Sequence, residues 1–386
     1  AAAYDRAEER RVELMKANGF NAIRTSHNPP SPGFLDACDR LGMLVIDEIY
    51  DGWFQDSQKK PYYQIEFEEG WPADVTDFVL RDRNHPSVIL WSTGNEIMDK
   101  MDPRAISAQE EITALFRKLD PSRSVTCGMN EWGHDDWDNV LENYMKPLDV
   151  AGYNYAESKY QEDHSRYPER LIVCSESFPK QAFQYWMQVV DNGFVIGDFV
   201  WTGFDYLGEV SIGWHGFSEG YPWTAAYCGD IDICGFKRSQ SYYREILWGT
   251  GKKVALFVKN PVPTFHVPSH SKWDYPDIHS SWTWPGYEGQ SMEVLVYSNC
   301  ERISLTLNGE EIGSSETNRS NEFTASFEVP YQSGTLLAIG YNGNQVVEEI
   351  KLHSAGEAVA LRIACDRERI AADGQDLSYL TVEVVD

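Results

Sequence analysis

The sequence predicts a parallel α/β barrel followed by an antiparallel β-sandwich. Three observations lead there. Over the first 250 residues, short β-rich runs alternate with stretches of helical period, the order that gives parallel strands with crossover helices. No GxGxxG or GxxxxGKS/T turn follows any of these runs, whereas an open doubly wound sheet would normally carry such a phosphate-cradling turn. Beyond Trp248 the helical period stops, and apolar alternation punctuated by Asn-Gly turns takes over.

The runs expected as strands are Phe20–Arg24, Met43–Asp47, Ser87–Trp91, Ser124–Cys127, Asp149–Tyr153, Leu171–Cys174 and Asp198–Trp201. Helical spacing lies between them. It is carried by Phe34, Leu35, Cys38 and Leu41, by Ile112, Leu115, Phe116 and Leu119, and by Phe183, Trp186, Met187 and Val190. Asp36 and Arg40 add an i,i+4 charge pair to the first of these helices. Seven strands with a helical segment ahead of them fit a (β/α)8 TIM barrel over residues 1–250 whose first strand is missing from this chain. A barrel short of one strand exposes two unpaired edges, so the absent piece is expected to be needed for folding.

KNPVPTFHVPSHSKWDYP then reads as a Pro-rich linker. Ile303, Leu305 and Leu307 alternate up to Asn308-Gly309, Phe323, Ala325, Phe327 and Val329 follow, and Leu337, Ile339 and Tyr341 lead to Asn342-Gly343. These are hairpin signals, and residues 251–354 are expected to form an immunoglobulin-like β-sandwich. A last alternating stretch with Leu380, Val382 and Val384 makes residues 355–386 the expected start of a further sandwich.

Charge narrows the function. Of 386 residues, 33 are Lys or Arg and 60 are Asp or Glu, a net charge of −27. Such a chain repels phosphate backbones and anionic lipid surfaces, so nucleic acid and membranes are not expected partners, while a neutral ligand meets no long-range penalty. The seven cysteines form no CxxC pair and indicate neither a zinc site nor a disulfide framework. They lean toward a reducing compartment such as the cytoplasm, whereas add-on sandwiches suit a periplasmic or secreted protein, so localisation stays open. A homo-oligomer is equally compatible with the sequence.

In an α/β barrel, chemistry sits at the C-terminal ends of the strands. Those ends read Arg24-Thr25-Ser26-His27-Asn28, Asp47-Glu48, Asn95-Glu96, Tyr153-Asn154-Tyr155, Ser175-Glu176 and Trp201 through Asp205. Carboxylates, amides and aromatics dominate. Two Glu on separate strand ends could face each other across the mouth, which suits cleavage of a glycosidic bond. RTSHNPPSP, VIDE, RDRNHPSVILWSTGNE, CSES and FVWTGFDYLGE, in that order through residues 1–250, resemble the family 2 glycoside hydrolases, which include β-galactosidases, β-glucuronidases and β-mannosidases. The resemblance implies an eight-stranded barrel with Glu96 as acid/base and Glu176 as nucleophile. It also implies Tyr155 as the hydroxyl that bonds the nucleophile, with Tyr153 the competing choice, and Asn95 on the sugar 2-hydroxyl. His27 and Asn28 would line the sugar pocket, unless they form a simple turn. Arg24 would orient the carboxylates or merely neutralise Asp47 and Glu48. Trp201 would wall the sugar ring, and Asp205 would bind hydroxyls or cap its loop. Trp53, Trp132 and Trp214 are weaker leaving-group contacts, and His85 reads as structural.

No metal-ligand spacing stands out and no cofactor is required, although some members of the family bind a divalent cation near the site. AAYCGDIDICGFK lacks the Asn-x-Lys element that glucuronide-specific members use, and its Asp230 and Asp232 would repel an anionic sugar. GDIDICGFKRSQSYYREILW, followed by the Pro-rich link and the sandwich, resembles the bacterial β-galactosidase-like branch of the family. The resemblance implies a retaining exo-β-glycosidase acting on a glycoside or oligosaccharide, with β-galactosides first and β-glucosides or β-glucuronides as alternatives. A non-catalytic carbohydrate-binding protein, or an excerpt inert on its own, are the competing readings.

Overall fold

The computed structural model describes residues 3–54, 64–130, 136–214, 224–262 and 271–386. It divides into two compact units, Ala1–Lys16 with Phe20–Trp201, and Ala17–Gly19 with Thr202–Asp386. The boundary expected near residue 250 lies inside the second unit.

The first unit holds seven parallel strands in sequence order: β1 (Ala22–Arg24), β2 (Leu44–Glu48), β3 (Val88–Asn95), β4 (Ser124–Met129), β5 (Val150–Asn154), β6 (Leu171–Ser177) and β7 (Val195–Val200). All seven expected runs are strands, most of them displaced or extended by one to four residues. β1 and β7 touch without pairing, so the sheet is a nearly closed barrel lacking one strand of eight. These two end strands are only partly buried, while β4 and β5 between them are buried almost throughout, as expected where a strand has one neighbour rather than two.

Helices α1 (Asp5–Ala17), α2 (Pro32–Leu41), α3 (Gln64–Asp82), α4 (Pro103–Leu119), α5 (Trp137–Asn139), α6 (Tyr160–Arg166) and α7 (Ala182–Asp191) connect the strands. The sequence shows why α2 starts and stops where it does. Ser31 caps it, its hydroxyl accepting from Phe34 N–H at 3.2 Å, Pro32 opens the first turn, and Gly42 closes it at φ 71°. The expected Asp36–Arg40 pair does not form. Arg40 reaches Glu9 of α1 at 2.6 Å instead, because a contact between helices also fixes packing.

Strand periodicity sorts the barrel interior into layers. Ile46, Leu90, Val150 and Val173, with Phe199 against them, form an apolar cluster. Two or four residues on, the same faces present Glu48 and Asn154 at the strand ends and Ser92 within β3. The apolar layer floors the polar one.

The second unit contains α8 (Ser239–Trp248) and two four-stranded antiparallel sheets. One runs β13 (Thr324–Pro330), β10 (Ser291–Ser298), β8 (Val254–Lys259), β9 (Ile278–His279). The other runs β12 (Glu310–Glu316), β11 (Arg302–Leu307), β14 (Thr335–Asn342), β15 (Gln345–His353). Val254, Leu256, Val294, Val296, Trp282, Ile303, Leu305 and Leu336 fill the sandwich core. Asn308-Gly309 turns β11 into β12 as expected. On β14 the inward face is Leu336 and Ala338, not the expected Leu337 and Ile339, since both registers of that strand are apolar and only packing chooses. β16 (Ala360–Cys365) and β17 (Leu380–Val385) form a separate hairpin whose Leu361, Ile363, Leu380, Val382 and Val384 are all more than half exposed. Five of the seven cysteines are buried and all are free. No helix among the described residues is long and apolar enough to cross a membrane.

Candidate active site

The ladder registers carry the candidate residues round one rim of the barrel. Arg24 ends β1, Glu48 ends β2, Asn95 ends β3 with Glu96 next, Asn154 ends β5, Glu176 is the penultimate residue of β6, and Trp201 follows β7. Asn95 lies opposite Gly128 of β4, and Asn154 opposite Glu176.

Arg24 is the hub. Its guanidinium grips Glu48 by two parallel bonds, Nε to Oε2 at 2.9 Å and Nη2 to Oε1 at 3.0 Å. It also donates to Glu176 Oε1 at 2.7 Å, Asn95 Oδ1 at 2.9 Å and Ser175 O at 3.2 Å. Of the acids named with it in the sequence, Arg24 bonds Glu48 and Glu176 but not Asp47. That side chain points to the other face of β2, where Thr25 Oγ1 lies at 3.4 Å. Burial alone would lower the proton affinity of Arg24, yet the two carboxylates raise it, so the guanidinium stays charged. Glu48 is fully buried. Burial pushes its carboxyl up, and Arg24, His27 and Ser92 more than reverse that, leaving it below its ordinary value.

His27 bonds Glu48 Oε1 through Nδ1 at 2.8 Å, with Nε2 at 3.8 Å from Glu176 and 3.4 Å from Asn95 Nδ2. Its ring stacks on Trp201 at 4.9 Å and 7°. Burial lowers its basicity, and the bond to Glu48 outweighs it, so His27 is raised. Asn28 is exposed in the same turn and enters no bond of the network.

The two expected catalytic carboxylates sit differently. Glu176 is 4% exposed, and Tyr155 OH donates to its Oε2 at 2.7 Å while Arg24 holds Oε1. The competing Tyr153 donates to Asp163 at 2.8 Å. Among the described residues no cation is bonded to Glu96. Asn154 Nδ2 reaches its Oε1 at 3.0 Å, while burial first, and then the charge of Glu176, push its carboxyl up to about 7. Glu96 and Tyr155 both occupy the left-handed backbone region, at φ 43° and 57°, and each amide donates to the next strand, to Gly128 O at 2.8 Å and Glu176 O at 2.9 Å. Strain of this kind persists where the surroundings over-determine it.

Several residues were not singled out in the sequence. Asn154 bridges Asn95 and Glu96 through Nδ2 and accepts from Ser175 Oγ at 2.6 Å. Ser92 donates to Glu48 at 2.7 Å. The signal for Asn154 was its place: Asn-Glu ends β3 and Asn-Tyr ends β5 in the same way. Trp53, expected as a leaving-group contact, is fully buried, donates to Thr93 O and stacks on Phe67. Packing in the hydrophobic interior has claimed it. Trp132 lies outside the described residues. In the second unit, Trp214 is half-buried, and both oxygens of Asp205 are taken, by Tyr227 N–H at 3.0 Å and Arg238 at 2.8 Å. Asp230 is buried against Arg244 at 2.7 Å and Asp232 accepts two backbone amides, which weakens the charge argument against acidic sugars.

Among the described residues one grouping, Asp36, Asp39 and His85, brings three ligand atoms within 4.8 Å. Asp39 is already engaged by His85 and by Ser87 N–H, the structural part expected of His85.

A parallel barrel whose rim carries one tethered carboxylate and one of raised proton affinity has the arrangement that glycosidic-bond cleavage uses. The TIM barrel domain described for glycosyl hydrolases of family 2 matches residues 6–177, and a domain of unknown function matches residues 289–348. A solved family 2 glycosyl hydrolase from Bacteroides cellulosilyticus is 47% identical at TM-score 0.94, covering all of this chain and 50% of that one. A β-galactosidase of Bacteroides ovatus is 29% identical over 462 residues, 100% of this chain and 50% of that protein. A putative β-glucuronidase of Formosa agariphila is 29% identical over 97% of this chain and 38% of its own length. The chain thus spans half or less of these relatives. Its barrel, over residues 6–177, is that of glycoside hydrolase family 2.

Proposed function

We propose that the protein is a retaining exo-β-glycosidase that releases terminal β-linked neutral sugars, with β-galactosides as its first substrates. The observation that carries this reading is the unequal treatment of two carboxylates on one rim: Glu176 is tied to Arg24 and Tyr155, while Glu96 keeps its proton to about pH 7. A Glu176 oxygen attacks the anomeric carbon as the glycosidic C–O bond breaks, and Glu96 gives its proton to the departing oxygen. Water then attacks the glycosyl-enzyme ester, Glu96 takes the proton, and Glu176 leaves as carboxylate. Tyr155 and Arg24 orient the nucleophile, Asn95 meets the 2-hydroxyl, and His27, Asn28 and Trp201 border the ring. Attack and proton transfer both use groups of this chain, so we take no cofactor to be required.

The test is a panel of aryl β-galactosides, β-glucosides and β-glucuronides with the full-length protein. Glu176→Gln should cut turnover by at least about 10⁴-fold with folding kept. Glu96→Gln should cost about 10²–10⁴-fold on poor leaving groups and far less on an activated aryl group, which needs no proton. Turnover near wild type in Glu176→Gln would remove the nucleophile assignment. A glucuronide is the second reading, because Arg244 neutralises one of the two acids thought to repel it, and the same panel decides between them.

A further inference from the structure

Lys100 is the one fully buried lysine among the described residues, and no step above uses it. It lies four residues after Glu96 on the loop between β3 and α4. Among the described residues its Nζ donates to a single acceptor, Asn130 Oδ1 at 3.2 Å. Asn130 is the first residue past β4, two positions beyond Gly128, whose carbonyl accepts the Glu96 amide. The backbone of Glu96 and the ammonium of Lys100 are thus tied to residues two positions apart, at the end of β4 and just past it. Burying a lone ammonium is costly unless an opposite charge recovers part of the loss.

The charges around Glu96 show what that ammonium is needed for. Glu176 faces it from β6, His27 from the turn after β1, and neutral Asn154 from β5. Arg24 is spent on Glu48, Glu176 and Asn95. Cys127 of β4, the other titratable group beside Lys100 among the described residues, has its thiol pushed up to about 11 by burial and stays neutral. We propose that Lys100 is a positioning residue for proton transfer: clamped by Asn130, its ammonium is the fixed counter-charge that lets Glu96 part with its proton. The proposal rests on the reading of Glu96 as acid/base. Burial lowers the lysine itself to about 8, against the pull of Glu96, so it is still largely charged where Glu96 titrates and is lost above that range.

The experiment titrates Glu96 directly, by carbon NMR of the full-length protein labelled at the glutamate carboxyls, with Glu96→Gln giving the assignment. Lys100→Met and Lys100→Gln are the neutral variants, the second able to keep the bond to Asn130, and Lys100→Arg retains the charge. Removing the cation should raise the Glu96 midpoint by about one unit. The basic limb of kcat/KM, which reports loss of the Glu96 proton, should move up with it, and Lys100→Arg should sit near wild type. An unchanged midpoint in both neutral variants overturns the proposal, as does lost turnover with no movement of the midpoint. A midpoint that rises in a protein cleaving no glycoside upholds the proposal and removes the catalytic reading instead.

Discussion

The sandwich core and the charged network on the barrel rim are both buried and are built from opposite materials. Between the sheets lie Val254, Leu256, Val294, Ile303, Leu305 and Leu336, none more than 2% exposed. On the rim, Arg24, Glu48, Asn95, Asn154 and Glu176 are 9% exposed or less, and hardly a polar atom among them lacks a partner. Burying apolar area is favourable by about 25 cal/mol per Å². Burying charge costs several kcal/mol per ion before pairing returns part of it, so roughly neutral replacements by apolar side chains exist. So many charges kept in one place at that cost add little to stability, in keeping with the catalytic role proposed for them.

This contrast can be broken by crowding one region at a time. A methyl group on Gly128 would lie 2.8 Å from Arg24 Nη2, 3.0 Å from Asn154 Oδ1 and 3.2 Å from Asn95 Oδ1. Those atoms are held by bonds on every side and can move only by breaking them. Gly128→Ala should therefore lower kcat/KM on an aryl β-galactoside by about 10²-fold, the scale of a small misplacement at a reacting centre, with little change in unfolding midpoint. Activity within twofold of wild type would mean the network tolerates displacement and does not position the carboxylates.

The matching experiment in the sandwich is Gly340→Ala. There a methyl would meet Cys300 Sγ and Val254 Cγ2 at 2.7 Å each, inside the core and at the bulge that follows Gly340 on β14. Overpacking of this kind costs about 1–3 kcal/mol, read by urea denaturation, and kcat should be unchanged. A variant that keeps its stability but loses rate would deny that the two interiors are separable.

The same contrast explains what the sequence disclosed. Alternation and Asn-Gly turns revealed the sandwich because its energetics depend on pattern, yet they left the inward face of β14 undecided, since Leu337 and Ile339 are as apolar as Leu336 and Ala338. The rim was legible for the reverse reason: Asn-Glu, Ser-Glu and Arg at strand ends are poor choices for a core, and the order of the motifs named the family. Glu48 and Asn154 were visible at those ends but received no role, because their worth lies in which neighbours they bond. Trp53 misled because an aromatic near a strand end looks alike in sequence whether it faces a ligand or, as here, Phe67.

Not every buried charge in the barrel serves the rim, and Asp47 marks the limit. It is fully buried on the outer face of β2, next to Asp82 at the end of α3, which Arg81 pairs at 2.5 Å. Burial, then the charge of Asp82, raise the Asp47 carboxyl well above its ordinary value, while Arg81 and Thr25 oppose them. A group whose proton affinity is higher folded than unfolded makes the folded state bind more protons, so stability falls as pH climbs from the unfolded value toward the folded one. Asp47→Asn keeps size and hydrogen bonding but has nothing to ionise. Its unfolding free energy should match wild type near pH 4 and exceed it increasingly toward pH 8, with kcat untouched. A gap that stays flat with pH, or a variant less stable at pH 8, would show that Asp47 is charged in the native barrel and belongs with the paired ions of the rim.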